Sequence, residues 1–194
     1  MSNFKDWFGR TFKGKRIAMM GLKGSGKTQF LQSLGCPTAN PNVISQTEKY
    51  NWFKVTYLEK TIYIKAGVDR GGGLELFKAS FNKALLKSDW LFIMVDIQKY
   101  ISNQLDDESH EPYKQQLFAR LDYINNNIPH VFKDKVYIIL THADLLPNAS
   151  SELINDFQRA TKEKPFEVLT KNCYLLNAKD KRQVLDVFKR IAQI

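Results

Sequence analysis

The order of apolar and polar residues along the chain predicts alternating short strands and helices. The apolar run at 90–95 is typical of a strand buried on both faces of a parallel sheet, and the run at 136–140 predicts another buried strand. A short, mostly apolar run at 16–20 predicts a strand before them. Residues alternate in strand fashion at 52–57 and again at 61–65, which predicts an antiparallel hairpin. A last strand is expected at 172–176, so the chain is predicted to be of the α/β class.

Helices are expected between these strands wherever apolar residues recur at a spacing of three or four. The predicted helical segments are 27–34, 74–86, 112–127, 151–160 and 181–191. Pro112 is expected to open the third, Ser150 and Ser151 to cap the fourth, and Asp180 to cap the last. The inward-facing residues are predicted to be Leu117, Leu121, Ile124, Val184, Val187, Phe188 and Ile191. The polar stretch 98–111 is interpreted as a solvated acidic loop, because it lacks the ligand spacing of a metal site.

Composition narrows the class of protein. A chain of 194 residues suits one domain, and no apolar run approaches the length of a membrane-spanning helix. The two cysteines form neither a metal pair nor a disulfide framework, which favours a cytoplasmic location. The net charge of +9 suits several anionic partners, but no basic block interleaved with aromatic residues occurs, so nucleic acid is not the expected partner.

The first fifteen residues are predicted to form an amphipathic basic segment that precedes a domain at 16–194. Their aromatic residues fall at helical spacing, with cationic residues between them: Phe4, Trp7, Phe8 and Phe12. Such a segment either lies on an anionic membrane, here the inner face, or packs on its own domain. Ser2 stands where myristoylation requires glycine, which weakens the membrane interpretation.

The segment 21–28 reads GLKGSGKT and matches the phosphate-loop pattern G-x-x-x-x-G-K-[ST] at each fixed position. It lies between a predicted strand and a predicted helix, the order that such a loop requires, and the helix would direct its positive end at the phosphates. Backbone N–H groups of the loop can surround an anion, a lysine can reach the β and γ phosphates, and a threonine hydroxyl can bind Mg²⁺. The predicted binding residues are Gly24, Ser25, Gly26, Lys27, Thr28 and Gln29.

Polar residues also follow the two later strands, at the edge where open α/β sheets bind ligands. Thr141, His142 and Asp144 follow the strand at 136–140, and a carboxylate there can accept hydrogen bonds from N1–H and the 2-amino group of guanine. The 172–176 strand leads into Asn177, Ala178 and Lys179. A glycine-rich turn after the hairpin holds Asp69, which suits either a mobile γ-phosphate sensor that binds Mg²⁺ through water, or a flexible exposed loop.

These motifs, in this order, resemble those of the Ras-like small GTPases, with a layout closest to the ADP-ribosylation-factor-like branch. The resemblance implies a three-layer fold, with a six-stranded mostly parallel sheet, one antiparallel hairpin and helices on both faces. It also implies binding of GTP and GDP with Mg²⁺. In the family's base-binding motifs the aspartate binds guanine, the lysine lies over the base and the S-A-K alanine backbone contacts the guanine oxygen. These positions correspond to Asp144, His142 and Ala178.

The chain departs from the family at several positions. Thr141 stands for the commoner asparagine, His142 for lysine and Asn177 for serine, so affinity is expected to be lower than in the tightest binders. The D-x-x-G motif fits 69–72, although residues 65–67 lie where some members place it. No glutamine follows these glycines, which predicts slow unassisted hydrolysis.

The resemblance also implies roles for residues outside the base-binding motifs. Thr28, Asp69 and a switch threonine are the expected metal ligands, and Thr47 is preferred to Thr38 for the switch. The expected catalytic residues are Lys27 and Arg70, the latter as a cationic group supplied in cis.

Three functions compete at this point. The first is a GTPase switch that works with an effector or activating protein. The second is a P-loop ATPase or small-molecule kinase, but a kinase lid should carry arginines, and only Arg70 and Arg120 lie between the loop and Asp144. The third is a scaffold that nucleotide stabilises and that no longer hydrolyses it.

Overall fold

A four-stranded parallel sheet forms the centre of the protein in the computed structural model, which describes residues 17–34, 52–57, 60–65, 78, 88–105, 110–146 and 152–192. The strands are β1 (Ile17–Gly21), β2 (Trp52–Tyr57), β3 (Lys60–Lys65), β4 (Trp90–Asp96), β5 (Val136–Thr141) and β6 (Cys173–Leu175). The parallel sheet has the order β1-β4-β5-β6, and β2 pairs with β3 in a separate antiparallel hairpin.

Five helices accompany these strands in the described ranges. They are α1 (Lys27–Ser33), α2 (Ile97–Ser102), α3 (Tyr113–Asn127), α4 (Glu152–Thr161) and α5 (Lys181–Ala192). Short 3₁₀ turns occur at His130–Lys135, Ala143–Leu145 and Glu167–Thr170. None of the helices in the described ranges has the length and apolar character needed to span a membrane.

Alternate residues of the parallel strands face two separate cores, because side chains along a strand point to opposite faces. Residues of β1 and β4 on one face, including Ala18 and Ile93, pack with α2, α3 and the Phe157 side chain of α4. Residues on the other face, including Phe92, pack with Phe30 of α1 and with α5. Helices therefore cover both faces of the sheet, as predicted for an α/β protein.

The predicted elements are confirmed wherever the structure describes them, with two corrections. Residues 97–102 form α2, where a solvated loop was predicted from residue 98, because Ile97 and Tyr100 are buried and Asp96 accepts a hydrogen bond from the Lys99 N–H (3.0 Å). The single six-stranded sheet is also wrong for the described residues: four strands form the parallel sheet, and the hairpin is hydrogen-bonded as a separate pair.

Other predictions lie outside the described residues. These concern residues 1–15, the helix at 74–86 apart from Lys78, and the side chains Thr38, Thr47, Asp69, Arg70, Ser150 and Ser151. Asp180 caps α5 as predicted, because its Oδ1 accepts from the N–H groups of Arg182 (2.8 Å) and Gln183 (3.3 Å). The four apolar side chains predicted to face inward from α5 are all buried.

Candidate functional site

The glycine-containing loop joins the end of β1 to the start of α1, and it needs glycine at defined positions. Gly24 and Gly26 have φ of +79°, a left-handed conformation that costs other residues energy. A Cβ on Gly21 would lie 2.4 Å from the Met94 carbonyl oxygen, since β1 and β4 are adjacent there. The Ser25 N–H donates to the Leu22 carbonyl (3.1 Å), which closes the turn.

The side chain of Lys27 lies inside this loop. It is 5% exposed, and its ammonium donates to the carbonyls of Gly21 (3.0 Å) and Leu22 (2.8 Å) and to Ser25 Oγ (2.8 Å). A buried ammonium is costly unless it is fully hydrogen-bonded, and three oxygens supply those bonds here. The loop thus holds a positive charge within the curve of its backbone. Thr28 is exposed at the start of α1, and the neighbouring Gln29 is half-buried.

Thr141, at the end of β5, connects the loop to the rest of the sheet. Its hydroxyl is fully buried and donates to the carbonyls of Ser25 (3.0 Å) and Val95 (3.1 Å). A single hydroxyl hydrogen is shared between these two acceptors. The contact joins residues that are 116 positions apart in the chain, so the sheet positions the loop.

His142 follows Thr141 with a positive φ of 61°, and its ring lies between two polar groups. Its Nδ1 is 3.1 Å from Thr141 Oγ1 and 3.4 Å from Asp96 Oδ2. Because the Thr141 hydroxyl hydrogen points to a carbonyl, we assign the proton to Nδ1, which then donates to both oxygens. This arrangement orients the imidazole beside the loop.

Asp96 and Tyr113 complete the polar group at this edge of the sheet, and sequence reasoning did not identify either as part of the site. Asp96 is aligned with Thr141 in the β4–β5 register, and its backbone N–H donates to Tyr113 Oη (2.9 Å). Burial raises the pKa of the Tyr113 hydroxyl well above its usual value, so it stays neutral. Asp96 could have been found from sequence, since it directly follows a buried strand, as Thr141 does.

The two predicted base-binding segments leave neighbouring strands at the same edge of the sheet. Leu140 of β5 is aligned with Leu175 of β6, and the Leu176 N–H donates to the Leu140 carbonyl (2.9 Å). Beyond these positions, Asp144 is exposed in the Ala143–Leu145 turn. The carboxyl ends of β5 and β6 therefore lie at the same edge of the sheet.

The segment 177–179 is connected to α1 and stabilised by its own polar side chains. The buried Ala178 carbonyl accepts from Ser33 Oγ (2.7 Å), which ties the segment to the helix that follows the loop. Asn177 Oδ1 accepts from the Lys179 N–H (2.8 Å), and the Lys179 side chain is exposed. The structure therefore joins Thr141 directly to the 21–28 loop, and joins the 177–179 segment to the last residue of α1.

The metal site is covered only in part by the described residues. Thr28 is the one predicted ligand among them, because Thr47 and Asp69 lie outside the described ranges, as does Arg70. Within those ranges, no group of three or more His, Cys, Asp or Glu side chains could hold a metal ion. The exposed Thr28 hydroxyl suits a cation that also binds phosphate oxygens.

Comparison with known proteins shows a likeness of fold. No protein-family model matches the chain, and no curated protein matches it in sequence. The chain is similar to a GTP-binding protein from the hyperthermophilic archaeon Sulfolobus solfataricus, solved in complex with GDP. The TM-score is 0.60 at 14% identity, over 99% of this chain and 57% of that one. A mutation variant of SsGBP gives a TM-score of 0.58 at 16% identity, over 99% of this chain and 60% of that one.

A second kind of neighbour has nearly the same length as this chain. A probable GTP-binding protein, engB, has a TM-score of 0.55 at 14% identity, and the match covers 92% of this chain and 98% of that one. By contrast, this chain spans little more than half of the archaeal protein. At these identities the likeness shows an α/β fold with a parallel sheet and flanking helices.

Proposed function

We propose that this chain is a guanine-nucleotide-binding protein that holds the phosphates of GDP or GTP in the 21–28 loop and hydrolyses GTP slowly on its own. The observation that carries the proposal is the buried ammonium of Lys27, which three loop oxygens hold at the carboxyl edge of a parallel sheet. Ligands of open α/β sheets bind at this edge.

The phosphate part of the proposal is supported by the loop's charge and backbone shape. The left-handed Gly24 and Gly26 leave the backbone bare of side chains where an anion would approach. A phosphate oxygen can replace one of the three loop oxygens that accept from Lys27, so that the ammonium keeps three hydrogen bonds. Mg²⁺, when bound, would neutralise phosphate charge, and Thr28 is the described residue that would hold it.

The choice of guanine is supported by Asp144 and by the two segments that leave β5 and β6 together. An exposed carboxylate pairs with two adjacent N–H donors, which guanine presents and adenine does not. His142 is fixed by Asp96 and Thr141, which suits a group that lies against a base. The fold likeness to GTP-binding proteins, one of them solved with GDP, agrees with this assignment.

The hydrolysis part of the proposal rests on sequence alone. The absence of a glutamine after 69–72 removes the residue that orients water in the resembled family, so turnover is expected to depend on an activating protein. Arg70 as a cis catalytic group, and Asp69 and Thr47 as metal ligands, belong to the same proposal.

The proposal also includes two more specific points. The chain belongs to the ADP-ribosylation-factor-like branch, and residues 1–15 contact a membrane.

The test is titration of the purified chain with GDP, GTP, ADP and ATP in the presence of Mg²⁺, read by calorimetry and by thermal stability. A nucleotide at a hundred times its Kd should stabilise the folded state by about 2.7 kcal/mol. Guanine nucleotides should stabilise, adenine nucleotides should not, and Lys27→Ala should abolish the effect. Equal stabilisation by ADP and GDP would favour the ATPase or kinase alternative, and bound GTP that is never hydrolysed would favour the scaffold.

Asp144→Asn tests the base contact, because an amide offers a donor where guanine needs a second acceptor. The variant should lose affinity for GDP by about tenfold or more and gain affinity for xanthosine diphosphate, whose extra carbonyl accepts from the amide. Asp134→Asn is the matched control, since it removes an exposed carboxylate just before β5 and not just after it. If both variants bind GDP as the unmodified chain does, Asp144 does not read the base.

A further inference from the structure

A second lysine reaches the same loop from outside, and neither the phosphate-loop motif nor the base-binding motifs include it. Lys99 lies in the first turn of α2, directly after β4. A Cβ on Gly24 would lie 3.5 Å from Lys99 Nζ, so the ammonium lies beside the most exposed part of the loop. The position follows from the sheet, because the end of β4 is aligned with the end of β1.

The backbone around Lys99 is held in place. Asp96 Oδ1 accepts from the Lys99 N–H (3.0 Å), and the Lys99 carbonyl accepts from the N–H of Gln104 (3.4 Å). The other oxygen of Asp96 faces His142 at 3.4 Å. The backbone of Lys99 is therefore fixed, and only its side chain has to change conformation when a ligand binds.

The charge of Lys99 has no carboxylate partner within ion-pair distance in the part of the chain that the structure describes. Lys27 carries a second positive charge inside the loop that Lys99 lies beside, and an anion bound at the loop would be attracted by both charges. Lys99 is itself half-buried, which strengthens its pull on a nearby anion relative to a fully solvated lysine.

From this geometry we infer that Lys99 is a further phosphate-binding residue, which contacts the diphosphate portion common to GDP and GTP on the solvent side of the loop. The inference rests on the proposed function, since it needs a nucleotide in the loop. Lys27 holds the phosphates from within the loop, and Lys99 covers them from α2. The loop then owes part of its affinity to a residue that the motif does not contain.

The test compares Lys99→Gln, Lys99→Arg and Lys114→Gln by calorimetric titration with GDP, with inorganic pyrophosphate and with guanosine. Lys114 is the matched control: it is half-buried on the neighbouring helix, and its ammonium lies 4.9 Å from the Tyr100 ring centre. Lys99→Gln should lower the affinity for GDP and for pyrophosphate about three- to tenfold. Lys99→Arg and Lys114→Gln should keep both affinities within about twofold of those of the unmodified chain. Guanosine, which lacks phosphate, should bind all variants alike.

Salt supplies a second readout that a merely structural role would not change. The affinity of the unmodified chain for GDP should fall with added salt, and that dependence should be shallower in Lys99→Gln. If the unmodified chain binds no guanine nucleotide, the proposed function fails. The inference about Lys99 is overturned if the unmodified chain binds GDP and Lys99→Gln binds GDP equally well. It is also overturned if Lys99→Gln loses as much affinity for guanosine as for GDP.

Discussion

The hydroxyl of Thr141 hydrogen-bonds the 21–28 loop to β5, and Thr141→Val removes this bond with almost no change of shape. The hydroxyl is fully buried, and it donates to the carbonyls of Ser25 and Val95. The valine leaves the Ser25 carbonyl facing an apolar methyl group. The loop around Lys27 then loses its hydrogen bond to β5.

The expected loss of stability follows from the burial. A typical hydrogen bond contributes about 0.5–1.5 kcal/mol net, but a buried acceptor left unsatisfied raises the cost of this substitution to about 1–3 kcal/mol. For a chain of this size, each kcal/mol lowers Tm by about 2–4 °C. Urea denaturation followed by circular dichroism measures the loss of stability directly.

Thr161→Val is the matched control, because it removes an equally buried hydroxyl whose hydrogen bonds go to Gln158 and Thr170, in and near α4. Both variants should lose similar stability. Only Thr141→Val should also lower the affinity for GDP. The decrease should be about fivefold or more if about 1 kcal/mol of the lost stability comes from the loop that binds GDP.

Two outcomes would refute this reasoning. The first is that Thr141→Val is as stable as the unmodified chain, which would mean that the buried hydrogen bond contributes nothing. The second is that both variants lose stability and bind GDP equally well, which would mean that Thr141 does not position the loop.

Two further predictions concern the loop glycines and the half-buried Cys173 thiol. Gly21→Ala should destabilise the protein far more than Gly24→Ala, because the new Cβ would lie 2.4 Å from the Met94 carbonyl oxygen. At Gly24 the cost is that of a left-handed backbone, about 1–2 kcal/mol. Equal denaturation midpoints for the two variants would contradict this prediction. Burial raises the pKa of the Cys173 thiol from 9.0 to about 12, so its contribution to stability is present below pH 9 and is lost as the pH rises toward 12. Mass spectrometry after iodoacetamide at pH 8 should find Cys173 unmodified in the folded chain and modified in urea.

Several features of this protein were determined by its sequence alone. The buried runs that became β4 and β5 and the helical spacing of α3 and α5 are local patterns, since each reflects the period of one element. The 21–28 loop could likewise be identified from sequence, because glycine, lysine and threonine at this fixed spacing form a specific motif. The positions of Thr141, Asp144 and Ala178 at strand ends followed from the same element assignments.

The tertiary structure alone decided how these segments combine. Thr141 reaches Ser25 across 116 residues, Asp96 orients His142, and Lys99 lies beside Gly24, and each contact depends on the order and register of β1, β4 and β5. The separation of the hairpin from the parallel sheet and the helix at 97–102 were likewise decided by pairing and burial. The physical reason is that a strand's period specifies which side chains share a face, but not which strand lies beside it.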